Sequence, residues 1–427
     1  MDRRSSFPTV FWVANLIEVL ERFAYYGIYF GFGIYMTQLG FSRDQLGIVQ
    51  SLFLVISYGV PIFSGAIADK YGFKKVLLVS YAAYLPTVFL LTMTESFSGI
   101  ALTMLGIGFA AGIFKPLISA TVRATTDAGN KTLGFGIFYA MVNVGGSFGP
   151  IVAGTLRAID WKLSFYAATG GVALMALITI FFYKEPPREP ETKSIGEKIG
   201  EIFQVMSDGK FALFIVLLGL FFWWPFWAFF NLCALYVDSS VDTASLYSGM
   251  HSVIPWLANF LSQVDEDGTR RILGETISHT GYIIMIFQIF VSHGIAKMPA
   301  MRSFMVGLFI AAIGFVVLGY ASIGSSGLVF AGIVLFAVGE MIASPRIQEY
   351  ITWIAPKEKA GMYMGANFLG TMIGGLLSGV YTGVYGRVDD AGHPERVWYI
   401  LAAHMIAAIL VFTGFNRALG GFEERSA

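Results

Sequence analysis

The sequence predicts an all-α membrane protein of twelve transmembrane helices arranged as two six-helix halves. Three observations carry this expectation. Of 427 residues, 56% are hydrophobic and only 13% charged, roughly half the charged share of an ordinary soluble protein. Apolar runs of twenty or more residues recur throughout, and about 20 helical residues cross a bilayer core. A long charged stretch then separates six such runs from six more.

The first half, residues 1–184, has expected spans near 8–38, 44–68, 74–94, 98–122, 132–156 and 161–183. The linker 185–208 is Pro-rich at its start and helix-like at its end. The second half, 209–427, has expected spans near 210–237, 271–296, 302–322, 327–354, 359–385 and 396–416. Lys and Arg concentrate on the side that holds Arg3, Arg4, Lys70, Lys74, Lys75, Arg188, Lys357, Lys359 and Arg425, which makes that side cytoplasmic. Both termini are therefore expected inside, in a cell (inner or plasma) membrane. The basic N-terminus runs into a long apolar segment without a small-residue cleavage site, the pattern of a retained first span. The segment 239–270 is too polar to span and reads as a short amphipathic or re-entrant piece on the outer face, or a lid.

Other classes are disfavoured. With 28 basic and 28 acidic residues, nothing points to nucleic acid. Cys233 is the only cysteine, so an intrachain disulfide is impossible. Asn130 opens a glycosylation sequon, discounted because its loop is expected inside. No metal-ligand spacing, nucleotide motif or nucleophile–base constellation is present, so neither an enzyme nor a cofactor is expected. The Gly-rich stretches "GTMIGGLLSG" and "GIGFAAG" read as close helix-packing seams.

Charge within the spans is the informative feature. In "IEVLERFAYYG" (Ile17 to Gly27), Glu18, Arg22, Tyr25 and Tyr29 fall in a stripe about 60° wide on a helical wheel, flanked by Glu21 and Tyr26. An ionised group at mid-membrane costs about 2.5–3.5 kcal/mol on insertion scales, and such groups normally face water and pair with one another. A structural ion-pair knot and a functional site are the two readings. Lys115, followed by Pro116, and Glu340, shortly before Pro345, complete the set, formally three carboxylates against two cations. That imbalance suggests that one glutamate carries a proton in some states.

The motifs also carry a resemblance. Gly65, Asp69, Gly72, Lys74 and Lys75 resemble the short cytoplasmic loop of the major facilitator superfamily, a twelve-helix fold. "EVLERFAYYG" is similar to the first-helix motif of the proton-dependent oligopeptide transporter family within it. Lys115-Pro116, "FGIFYAMVNVGGSFGP" with Asn143, Glu340 with Ser344-Pro345, Ala355-Pro356, "FWAFF" at Phe226–Phe230 and the position of Tyr58 resemble further signatures of that family.

The resemblance implies proton-driven import of di- and tripeptides or peptide-like solutes by alternating access, with the proton gradient as driving force. Glu18, Glu21, Arg22 and Glu340 would couple protons. Lys115 and Asn143 would hold an anionic end and Glu340 an ammonium, while Tyr26, Tyr29, Tyr58, Trp227, His279 and Asn367 would line the substrate region. The partners implied are a small peptide-like molecule, protons and the lipid bilayer, with the monomer sufficient. This chain departs from the pattern at Tyr29, Asn231, Leu117, His279-Thr280 and Asn367. Those departures leave open a proton-coupled carrier, by symport or export, of another zwitterion, organic anion or drug-like compound. A non-transporting membrane sensor is the reading from a different class.

Overall fold

The computed structural model describes residues 7–127, 130–186, 193–265, 267–295, 297–355 and 360–422. Several positions used above (Arg3, Arg4, Arg188, Pro356, Lys357, Lys359, Arg425 and most of the linker's Pro-rich start) lie outside the described residues.

The chain opens with α1 (Thr9–Gln38), stopped by Gly40 at φ 84°. Helix α2 (Arg43–Gly59) starts from a reciprocal cap, in which Gln45 N–H donates to Ser42 Oγ and Ser42 N–H to Gln45 Oε1. It is followed by α3 (Pro61–Tyr71) and α4 (Phe73–Leu90), separated by Gly72 alone, whose φ of 103° few side chains tolerate. Then come α5 (Phe97–Ala124), α6 (Lys131–Arg157), α7 (Trp161–Phe182) and α8 (Ile195–Val205). Helix α9 (Gly209–Leu218) passes through a π-helical turn, Gly219–Trp223, into α10 (Trp224–Ser240).

A region of short elements follows: α11 (Thr243–Val253), α12 (Pro255–Phe260), β1 (Ser262–Val264), β2 (Arg270–Ile272) and α13 (Gly274–Ile277). The strands form an antiparallel hairpin with Gln263 opposite Arg271. Asp242 caps α11; hydrogen bonds from Ser245 hold its carboxyl below the usual range. The expected amphipathic piece is thus two short helices and a hairpin. The remaining helices are α14 (Gly281–Ile295), α15 (Ala300–Gly319), α16 (Leu328–Ile354), α17 (Ala360–Asp390) and α18 (Arg396–Leu419).

Among the described residues, ten helical segments are long and apolar enough to cross a membrane, with α2–α3 and α9–α10 each counted as one. The other two expected spans are α1, with three charges at its middle, and the 271–296 segment. The latter is not one helix: it begins in β2 and breaks at Ser278–Thr280 between α13 and α14.

The chain packs as two compact units, Met1–Phe32 with Ile56–Ile199, and Gly33–Val55 with Gly200–Ala427. In the first unit, a Cβ at Gly145 would collide with the Val19 carbonyl and one at Gly149 with that of Phe23. These two glycines, one turn apart, let α6 lie directly on α1 along the charged stripe. In the second unit a Cβ at Gly307 would stand 2.7 Å from the Gly339 carbonyl, and one at Gly339 2.6 Å from that of Gly307. That contact seats α16, and with it Glu340, on α15.

The π turn has a local cause. Trp224 N–H donates five residues back, to the Gly219 carbonyl. The next carbonyl, Leu220, would look to residue 225, where proline has no N–H. His404 Nε2 lies 2.9 Å from that carbonyl oxygen, and His404 Nδ1 lies 2.6 Å from Tyr381 Oη. A neutral ring donating from Nε2 and accepting from the tyrosine satisfies both contacts.

Candidate functional site

The charged stripe of α1 is assembled as its spacing predicts. Glu18 and Glu21 are fully buried and Arg22 nearly so. Arg22 Nε lies 2.7 Å from Glu18 Oε1 and Nη1 lies 3.3 Å from Glu21 Oε2. One guanidinium therefore serves two carboxylates, leaving the triad a net negative charge when all three are ionised. Tyr84 Oη donates to Glu21 Oε1 at 3.4 Å from α4.

Lys115, on α5, is held by neutral groups. Its ammonium donates to the carbonyl of Ser57 at 3.2 Å and to the Ser57 hydroxyl. It also stands 3.8 Å from the centroid of the Tyr58 ring and 4.9 Å from that of Tyr25. Tyr25 Oη lies 3.3 Å from the same Ser57 hydroxyl. Tyr25 is one turn beyond Glu21 on α1, so this tyrosine and Ser57 join the lysine to the triad's helix. Tyr29 stacks on Tyr25 at 5.9 Å between centroids, and Tyr26 meets Tyr25 edge-on at 5.1 Å. Ser57 and Tyr84 escaped the sequence reading; only the adjacency of Ser57 to Tyr58 could have pointed to it. Asn143 is buried on α6, its amide donating to the Tyr139 carbonyl at 2.8 Å.

The second unit has its own set. Glu340 Oε2 accepts from Thr280 Oγ1 at 2.9 Å, at the break between α13 and α14. His279, beside it, is buried and meets Tyr282 edge-on at 5.0 Å. Trp227 is buried against Trp223 and Phe230. Asn231 donates to Ser378 Oγ at 3.0 Å, and its carbonyl accepts from Gln50. Asn367 is buried on α17, where its carbonyl accepts from Thr371 and its side-chain Oδ1 has no hydrogen-bond partner.

The residues of the loop between α3 and α4 are joined by partners the sequence does not reveal. Asp69 pairs with Lys198 of α8 at 2.5 Å. Glu185 accepts from the N–H groups of Phe73 and Lys74 at 2.7 and 2.9 Å, capping α4 across Gly72. Lys74 Nζ donates to the Ile180 carbonyl at the end of α7. Lys75 is exposed, and a Cβ at Gly65 would lie 3.9 Å from Pro116.

A family model described as Major Facilitator Superfamily matches residues 14–379. The quinolone resistance protein NorA of Staphylococcus aureus is 23% identical over 209 residues, 49% of this chain and 53% of that protein. The chain thus spans about half the length of the curated relatives it matches. A POT family transporter crystallised with 5-aminolevulinic acid has the same fold, with TM-score 0.76 at 18% identity over 96% of each chain. The nucleoside transporter NupG superposes with TM-score 0.72 at 14% identity, covering 95% of this chain and 98% of that one. The fold expected from the oligopeptide-transporter resemblance is therefore the fold found. With the family match extending over most of the chain, this protein belongs to the Major Facilitator Superfamily.

Proposed function

We propose that the protein is a membrane transporter that moves a small zwitterion, a di- or tripeptide or peptide-like solute, together with protons by alternating access. The observation that carries this reading is the buried Glu18–Arg22–Glu21 triad beside a lysine whose partners among the described residues are neutral. A substrate carboxylate on Lys115 adds negative charge next to a triad already one charge negative. A proton on Glu18 or Glu21 offsets it, so proton and anion each favour the other's binding. Glu340, whose described partner is the Thr280 hydroxyl, supplies the carboxylate for the substrate's ammonium. The POT family structure with 5-aminolevulinic acid supports an amino acid-like solute for this fold.

The test is competition for dialanine exchange in proteoliposomes, using N-acetyl-dialanine, which lacks the ammonium, and dialanine amide, which lacks the carboxylate. The acetylated ligand should compete poorly with wild type but no worse than dialanine in Glu340→Gln. The amide should behave the same way toward Lys115→Ala. If each blocked ligand loses as much in its variant as in wild type, the assignment of ends is wrong.

A second reading is transport of a drug-like compound, favoured by the match to a quinolone resistance protein and by the aromatic packing around Trp227. A fluoroquinolone that displaces bound solute where dialanine does not would select it.

A further inference from the structure

The short elements between α10 and α14 present an apolar face that is exposed among the described residues. Val253, Trp256 and Phe260 are 77%, 70% and 51% exposed. Trp256 and Phe260, i and i+4, share one side of α12, and Val253 ends α11 just before the break at Ile254. Ala258, on the opposite side of α12, is fully buried, so α12 docks through its small residue and turns Trp256 and Phe260 outward. Val264 of β1 is also exposed.

A cation accompanies this stripe. Arg270 Nη1 lies 2.5 Å from Asn259 Oδ1, between Trp256 and Phe260 in the chain, and its guanidinium lies 5.8 Å from the Tyr247 ring. These partners are neutral. The neighbouring carboxylates of Asp265 and Asp267 pair instead with Arg271, at 2.6 and 3.5 Å. The chain leaves the spanning helix α10 at Ser240 and enters α14 at Gly281. The segment therefore sits at the membrane surface, at the end of the spanning helix α10.

We propose that this segment lies on the bilayer, with Val253, Trp256 and Phe260 among the upper acyl chains and Arg270 at the lipid phosphates. Tryptophan and arginine beside one apolar stripe match the chemistry of the headgroup boundary, where an apolar body and a polar or charged tip are both satisfied. A water-facing lid would leave these three large apolar side chains in solvent, and an assembly contact would cover them with protein.

The experiment uses the full chain in vesicles of phosphatidylcholine and phosphatidylglycerol, in a Cys233→Ala background. A nitroxide on Val253→Cys should be relaxed more strongly by lipid-soluble oxygen than by a water-soluble nickel chelate. One on Ser248→Cys, exposed on α11 away from the stripe, should show the reverse order. Equal, water-like relaxation at both sites would overturn the proposal, as would spin–spin broadening at position 253 from a second copy. Independently, lipids brominated near the headgroup should quench a fluorescence component in the unlabelled protein that Trp256→Phe lacks. Arg270→Gln should weaken that quenching more in anionic than in purely zwitterionic vesicles. Identical quenching with and without Trp256, or an Arg270→Gln effect independent of lipid charge, would contradict the placement.

Discussion

The ammonium of Lys115 stands 3.8 Å from the centre of the Tyr58 ring, and its hydrogen-bond partner is Ser57 rather than a carboxylate. A half-buried cation so held keeps its charge available to an incoming anion. The ring face contributes about 0.5–2 kcal/mol to such a contact. Tyr58→Leu should therefore raise KM by about 2- to 30-fold, whereas Tyr58→Phe, which keeps the ring, should stay near wild type. Uptake kinetics of the two variants separate a role for the ring from one for the hydroxyl.

Arg22 neutralises two carboxylates at once, so its removal should be far more damaging than theirs. Arg22→Met leaves Glu18 and Glu21 buried without their cation, at a cost of about 3–5 kcal/mol. Adding Glu18→Gln and Glu21→Gln to Arg22→Met should restore most of the loss. Thermal unfolding in detergent measures this; a triple variant no more stable than the single one would mean that the triad is not the source of the penalty.

The π turn makes a similarly non-additive prediction. His404→Phe leaves the Leu220 carbonyl without a donor, costing about 1–3 kcal/mol. Pro225→Ala returns an N–H to the turn, so the same His404→Phe change should cost measurably less in that background. Equal costs in both backgrounds would break the link between the proline and the histidine.

Gly47 and Gly379 approach so closely that a Cβ on either meets the other's carbonyl. Gly379→Ala should destabilise the protein by about 1–3 kcal/mol through overpacking. Gly136→Ala, with open space around its position, should be neutral or slightly stabilising. Parallel melting curves of the two variants check the contrast.

What could be read from the sequence follows from range. The triad was legible because Glu18, Glu21 and Arg22 lie within one helical turn and a bit, and helix geometry alone brings them together. Gly72 was legible because a one-residue break between two helices calls for positive φ. The partners of Lys115 were not, since Ser57 and Tyr58 lie on another helix, 58 and 57 positions away. For the same reason the pairing of Asp69 with Lys198, 129 positions away, could not be read. The pairing of His404 with Leu220 spans 184 residues. Nothing in the aromatic run around Pro225 signals a π turn or the histidine that stabilises it. The break at Ser278–Thr280 was hidden inside an apolar run whose average hydropathy looks like one continuous span.

The most direct measurement is dialanine uptake into proteoliposomes under an acid-outside pH gradient, wild type beside Glu21→Gln. Wild type should accumulate the dipeptide above its external concentration. Glu21→Gln should still exchange labelled for unlabelled dipeptide but no longer accumulate it. Accumulation by Glu21→Gln equal to that of wild type would contradict a proton-coupling role for the buried triad.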